Sequence, residues 1–137
     1  MQLTLTPTAL HIRAGVRFQV LAKLEQPAPD NLVITFEKHR VWVDMSGGRY
    51  LCVIQDGYFT DDGFPKPIEL RRGDTEGTTS AQVSAKAMNP PCPEVNPPDP
   101  SVPVEFPDRL MLTAFVKTQE AGTLIGKEHV VVTITSP

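Results

Sequence analysis

The strongest constraint on the fold is an alternation of apolar and polar side chains over residues 15–38. From Val16 to Leu24 every second residue is apolar, and the residues between them are mostly polar. Successive side chains of a strand point to opposite faces, so this period of two predicts a strand with one buried face. A turn with two prolines follows at residues 27–31, and the alternation returns over residues 32–37. We predict that the two strands form an antiparallel hairpin at the centre of the sheet.

The rest of the chain continues the pattern in short segments that are separated by turn residues. Leu3 and Leu5 alternate with threonines until Pro7 interrupts, and Leu10 and Ile12 resume the pattern. This predicts an edge strand that bends and changes its partner. With no helical period anywhere, the chain is predicted to be an all-β, antiparallel β-sandwich. The predicted core comprises Phe18, Val20, Ala22, Leu24, Ile34, Phe36, Val83, Leu112, Ala114, Val130 and Val132.

Length and charge restrict the function classes. The 137 residues predict a single domain, 1–137, with two long inserts at about 39–67 and 89–107. A net charge of −3 argues against a nucleic-acid partner, and no apolar run is long enough to predict membrane insertion. The chain shows none of the motifs of nucleotide, zinc-protease or serine-hydrolase chemistry. We therefore expect no catalytic residue, no metal and no cofactor.

A second hairpin surrounds a Ser-Gly-Gly turn, and its register is open. A three-residue turn pairs Val43 with Leu51, whereas a two-residue turn pairs Val43 with Cys52. The first register places Trp42, Asp44 and Tyr50 on one face. An exposed aromatic pair of this kind stacks on sugars or on partner proteins. These three residues are the candidate binding site, although a single Trp in such a domain is more often part of the core.

The two cysteines lie in the two inserts. Cys52 ends the second hairpin, and Cys92 opens a segment, residues 89–107, that holds eight of the 14 prolines. So many prolines favour extended conformations and exclude a central strand. A Cys52–Cys92 disulfide would join the two inserts, and two buried free thiols would give the same sequence pattern. Both alternatives stay open.

The arrangement resembles the immunoglobulin-like modules that bacterial surface and secreted proteins carry in tandem. The matching features are Gly15, the apolar strand before Pro27-Ala28-Pro29, the strand after it, the turn Gly73-Asp74-Thr75 and the strand from Thr79 to Val83. They cover about half of the chain. The chain departs from such modules in its two longer inserts and in lacking the cysteine pair and the tyrosine of antibody domains.

The resemblance implies an immunoglobulin-like antiparallel β-sandwich and a non-catalytic role for the chain. We predict a structural, spacer or assembly module of a larger exported or surface bacterial protein, whose partners are the neighbouring domains of the same chain. The alternative is a recognition module that binds a glycan or a protein through Trp42, Tyr50 and the proline-rich insert. Both interpretations place the chain outside the cell, on its surface or in the periplasm, and both predict that it is not an enzyme.

Overall fold

The structure, a computed structural model, describes the backbone of residues 1–43, 49–54, 57–85, 95–96 and 109–135. Side chains are described in the same ranges except at residues 40–43, 49–53, 95–96 and 109. Every regular element in these ranges is a strand, so the prediction of an all-β protein is confirmed. In chain order the strands are β1 (Leu3–Pro7), β2 (His11–Arg13), β3 (Arg17–Leu24), β4 (Leu32–Val43), β5 (Arg49–Val53), β6 (Ile68–Leu70), β7 (Glu76–Gln82), β8 (Val95–Asn96), β9 (Arg109–Thr118) and β10 (Leu124–Thr135).

The strands form two sheets. The smaller sheet has the order β1-β3-β7 and is antiparallel. The larger sheet has the order β2-β10-β9-β4-β5-β8, and β6 pairs with the first part of β4. Within the larger sheet only the short β2–β10 pair is parallel. The two sheets approach each other along both sides, where β1 lies beside β10 and β6 lies beside β7.

The predicted central hairpin does not exist. β3 pairs with β1 and β7, while β4 pairs with β9, β5 and β6, so the two strands lie in different sheets. The proline turn therefore carries the chain from one sheet to the other. The alternation identified both strands and their buried faces correctly. It could not identify their partners, because ladder hydrogen bonds join backbone groups that every residue carries.

The core lies between the two sheets and contains all eleven predicted residues. Phe18 and Val20 enter it from β3, Ile34 and Phe36 from β4, and Leu112 from β9. Val16, which the pattern placed on the same face as Phe18, is 49% exposed because β3 begins one residue later. Burial of one face of each sheet against the other is what the period of two requires.

The first strand changes partner as predicted. β1 pairs with β3 in the smaller sheet, and after Pro7 the chain crosses to pair β2 with β10 in the larger sheet. The hydroxyl of Thr8 donates to the carbonyl of Gln19 at 3.0 Å and accepts from the amide of Gln19 at 2.9 Å. These two bonds hold the bend where the backbone leaves the smaller sheet.

The second hairpin forms from the end of β4 and from β5, but in neither predicted register. Val43 pairs with Arg49 and Trp42 pairs with Tyr50, whereas the two predicted registers placed Val43 opposite Leu51 or Cys52. β8 adds to the free side of β5. In the part of the chain that the structure describes, no helix is long and apolar enough to span a membrane.

Candidate functional site

The predicted binding residues fall at the limit of what is described. The backbone of Trp42 lies directly opposite that of Tyr50. Asp44 and the side chains of Trp42 and Tyr50 lie outside the described residues. Three surface cavities among the described residues lie instead around the loop of residues 57–67, next to β4.

A gap in the larger sheet sets the position of this site. On one side, β4 pairs with β9 from Leu32 to Val41. On its other side it pairs with β6 only as far as Ile34 and with β5 only from His39. Residues 35–38 therefore have no neighbouring strand on that side among the described residues. The loop of residues 57–67 lies alongside this gap.

Backbone hydrogen bonds attach the loop to β7 and the residues after it. The amide of Thr60 donates to the carbonyl of Gln82 at 3.0 Å, and the amide of Gln82 donates to the carbonyl of Gly63 at 2.9 Å. Ser84 donates its amide to the carbonyl of Tyr58 at 2.8 Å, and Phe59 forms a bridge with Val83. The loop is thus fixed to the smaller sheet while its side chains reach the larger one. A site that is formed before its ligand arrives loses less entropy on binding.

One half of the site is aromatic. The Phe59 and Phe64 rings meet edge to face, with centroids 5.6 Å apart, and Tyr58 contacts Phe59 in the same way at 5.4 Å. The Lys38 ammonium from β4 lies 4.9 Å from the Phe64 centroid and 5.4 Å from that of Phe59. Phe64 is 36% exposed, while Tyr58 is buried. Phe36, Lys38 and Phe64 line a cavity of about 330 Å³ here.

The other half of the site is polar and cationic. Arg17, Lys66 and the hydroxyl residues Thr78, Thr79 and Ser80 line a cavity of about 460 Å³. The Arg17 guanidinium donates to Ser80 Oγ at 2.9 Å and to Gln82 Oε1 at 3.3 Å, so its position is fixed. Thr79 Oγ1 donates to the Lys66 carbonyl at 2.9 Å. These bonds fix the Arg17 guanidinium and the Lys66 backbone beside β7.

A third cavity, of about 400 Å³, connects the two halves. Thr35, Phe36, Thr60 and Pro65 line it together with residues that also border the other two cavities, Phe64 on the aromatic side and Asp62, Lys66 and Pro67 on the polar side. We call the three connected cavities the cleft. Five charged side chains border it, the cations Arg17, Lys38 and Lys66 and the anions Glu37 and Asp62. The cleft therefore has a local excess of positive charge in a protein of net charge −3.

Among the described residues, no three His, Cys, Asp or Glu side chains lie close enough to hold a metal ion. Asp61 and Asp62 are exposed, and Asp62 adopts a left-handed backbone conformation with φ of 60°. This conformation is that of a turn residue, and Asp tolerates it because its short side chain bonds locally.

The close approach of the loop to β7 depends on Gly63. A Cβ added there would collide with the carbonyl oxygen of Gln82 and with Oγ1 of Thr60, and would lie 2.9 Å from the amide nitrogen of Thr60. Two of these three atoms belong to the backbone, so the collision cannot be relieved by rotating a side chain. We expect Gly63→Ala to displace the loop and to destabilise the protein by about 1–3 kcal/mol.

Thermal denaturation measures this effect, with Gly126→Ala as the matched control. A Cβ at Gly126 would lie 3.1 Å from the Met1 carbonyl oxygen and 3.6 Å from the Val116 side chain, contacts that a shift of a few tenths of an ångström relieves. Neither glycine has a positive φ, so the pair differs in packing and not in backbone preference. Equal melting temperatures for the two variants would show that the loop is not held against β7 as described.

The cleft was not predicted from the sequence. Arg17 was one of the polar residues between the apolar positions of the first strand, and Phe64 belonged to a loop with turn residues on both sides. One signal was present, namely three aromatic residues within the seven positions from Tyr58 to Phe64, in a segment otherwise typical of solvated turns.

Comparisons with known proteins give little to set beside this geometry. The sequence matches no protein-family model and no curated relative. Among solved structures it is similar to the Pseudomonas fluorescens alkylpurine DNA glycosylase AlkC bound to DNA containing an abasic site analog, with a TM-score of 0.38 and 17% identity. The match covers 96% of this chain and 29% of the glycosylase chain. At this level the similarity transfers neither activity nor ligand.

The comparison nevertheless runs against three predictions. The chain was expected to be a non-catalytic spacer or recognition module, to be no enzyme and to have no nucleic-acid partner. The similar protein is an enzyme in complex with DNA, so none of the three predictions is carried forward. The exclusion of nucleic acid rested on the net charge of the whole chain. Net charge does not report local fields, and three cations surround the cleft.

Proposed function

We propose that this protein binds a nucleotide-bearing ligand in the cleft, with a planar base in the aromatic half and a phosphate in the cationic half. The observation that carries the proposal is the connection of the two halves through shared residues. An exposed aromatic ring lies at one end, and a guanidinium with three hydroxyl residues lies at the other. A ligand that satisfies both ends needs a flat apolar face and an anionic group in the same molecule.

Phe64 supports the position of the base. Its ring is partly exposed and is held by its edge contact with Phe59 and by the Lys38 ammonium. Stacking of a base on an aromatic side chain contributes about 1–3 kcal/mol by alanine substitution and tolerates any base, because every base has a π face. Lys38 would remain beside the stacked base, where its charge can meet the sugar-phosphate.

Arg17 and the β7 hydroxyl groups support the position of the phosphate. Arg, Lys, Ser and Thr side chains are among the usual donors to phosphate oxygens. Arg17 is already oriented by Ser80 and Gln82, so little side-chain entropy remains to be lost. The carboxylate of Asp62 lies between the two halves, where it can accept from a sugar hydroxyl or a base amino group.

Binding of thymidine 5′-monophosphate, measured by isothermal titration calorimetry, tests this function. We expect the wild-type protein to bind the nucleotide, and Phe64→Ala to weaken binding about five- to 150-fold, the equivalent of 1–3 kcal/mol. Leu10→Ala is the control, because Leu10 is 62% exposed and precedes β2, at the opposite side of the sheet from β4. Absence of binding to the wild type at millimolar nucleotide would overturn the proposal.

We also propose that the sandwich is immunoglobulin-like. In the smaller sheet the order β1-β3-β7 corresponds to strands A, B and E of that fold, and in the larger sheet β10-β9-β4-β5 corresponds to G, F, C and C′. The correspondence supports the resemblance seen in the sequence. It also gives the cleft a place in the fold, between C and the segment that leads from C′ towards E. A location outside the cell stays a prediction.

A further inference from the structure

We propose that the ligand is a single-stranded nucleic acid and not a free nucleotide, because a second ring with two lysines lies on the outer face of the larger sheet beside the cleft. This inference rests on the proposed function and extends it from one nucleotide to a polymer. The second site comprises Phe115, Lys117 and Lys127, and we call it the outer site.

The outer site faces away from the core. Ala114 and Val116 are fully buried in the sandwich, so Phe115 between them points to the opposite face of β9, where it is half-buried. The Lys117 ammonium lies 5.9 Å from the Phe115 centroid, and that of Lys127 on β10 lies 5.6 Å from it. An accessible aromatic ring with two neighbouring cations is the arrangement that single-stranded nucleic-acid sites use, the ring for a base and the cations for phosphates.

The outer site is continuous with the cleft. Thr35 lines the central cavity, and the ladder pairs it with Phe115, which in turn pairs with Lys127. Neighbouring strands lie about 4.8 Å apart, so the Phe115 backbone is one strand and the Lys127 backbone two strands from the cleft wall. A chain that leaves the cleft at Thr35 therefore meets Phe115 next. Glu37, two residues after Thr35 on the same strand, borders this path with a negative charge.

A free nucleotide has one base, which can stack on only one of the two phenylalanine rings. A polymer carries a second base in the same molecule, so occupation of the cleft raises the effective concentration of that base at the outer site. Two ring sites on neighbouring strands therefore allow a polymer to be distinguished from a free nucleotide. The expected signature is an affinity that increases with oligomer length and depends on Phe115 only for the longer ligands.

The test measures the binding of thymidine 5′-monophosphate and of fluorescein-labelled (dT)12 to the same variants, the first by calorimetry and the second by fluorescence anisotropy. We expect Phe115→Ala to weaken (dT)12 binding about five- to 150-fold and to leave the mononucleotide affinity unchanged. Phe64→Ala should weaken both ligands. Leu10→Ala, again the control, should change neither.

A second variant removes charge and leaves the ring in place. The double substitution Lys117→Gln and Lys127→Gln should lower the slope of log K against log salt for (dT)12 by about 1.4, since each phosphate contact to a single strand contributes about 0.7. Glutamine keeps most of the side-chain length and is tolerated on an exposed strand face. This variant keeps the proposal testable if Phe115→Ala fails to fold.

Different outcomes separate the two proposals. If the mononucleotide binds in the cleft but Phe115→Ala and the double lysine variant leave (dT)12 binding and its salt slope unchanged, the polymer inference is wrong and the proposed function stands. If Phe115→Ala weakens both ligands equally in a folded protein, the outer site is not a separate contact and the inference is again wrong. If neither ligand binds the wild type, both proposals fail.

Discussion

Phe36→Ala is expected to lower the free energy of unfolding by about 3–5 kcal/mol, the usual cost of deleting a buried phenylalanine. Phe36 is 8% exposed and lies on the core face of β4, two residues after the fully buried Ile34. The deletion leaves a cavity next to the gap in the sheet, where no strand of the described chain can move in to fill it. A domain of this size has a total stability of about 5–15 kcal/mol, so the variant loses a large fraction of it.

Phe64→Ala is the matched comparison, since it removes the same ring from an exposed position. Its cost should be clearly smaller than that of Phe36→Ala, because Phe64 is 36% exposed whereas Phe36 is 8% exposed. Urea denaturation of both variants gives the difference through their midpoints, provided that the slopes agree. Similar midpoints for the two would contradict the assignment of Phe36 to the core and of Phe64 to the surface of the cleft.

A disulfide between Cys52 and Cys92 is the second prediction with a large effect. Cys92 and the side chain of Cys52 lie outside the described residues. The backbone of Cys52 pairs with Val95, so the chain three positions after Cys92 lies directly beside Cys52. On the chain-entropy model a bridge that closes this loop stabilises the protein by about 4 kcal/mol, and its reduction should cost that amount.

Alkylation in denaturant without reductant, followed by intact-mass measurement, distinguishes the bridge from two buried free thiols. The bridged protein should take up no alkyl group until it is reduced, and two afterwards. Two alkyl groups taken up before reduction would show that both cysteines are free thiols and that the disulfide does not form. Cys92→Ser serves as the control, because it leaves Cys52 free and should take up one group whether or not reductant is present.

Much of the fold follows from side-chain alternation. The pattern over residues 15–38 identified β3 and β4 and which of their residues are buried, because one sheet face must exclude water while the other meets it. The interruption at Pro7 correctly predicted a strand that changes sheets, since proline cannot donate to a ladder. These properties are local, and each depends on a few consecutive residues.

Strand pairing did not follow from the same pattern. The sequence placed β3 beside β4, and the structure separates them into two sheets joined by the proline turn. The register of the second hairpin was likewise missed, with Val43 opposite Arg49. Two apolar strands of similar length are equally good partners as far as alternation is concerned, and only the packing of the whole core selects among them.

What the sequence by itself determined is therefore the class of the fold and the membership of its core, from Phe18 to Val132. The tertiary structure alone decided the cleft. Arg17, Lys38 and Phe64 lie on β3, on β4 and in a loop, and they border one cleft because the loop is bonded to β7 while β4 has a gap beside it. Alternation reports whether a side chain faces the core or the solvent. It carries no information about which distant surface residues share a cavity, since that depends on how the two sheets are placed against each other.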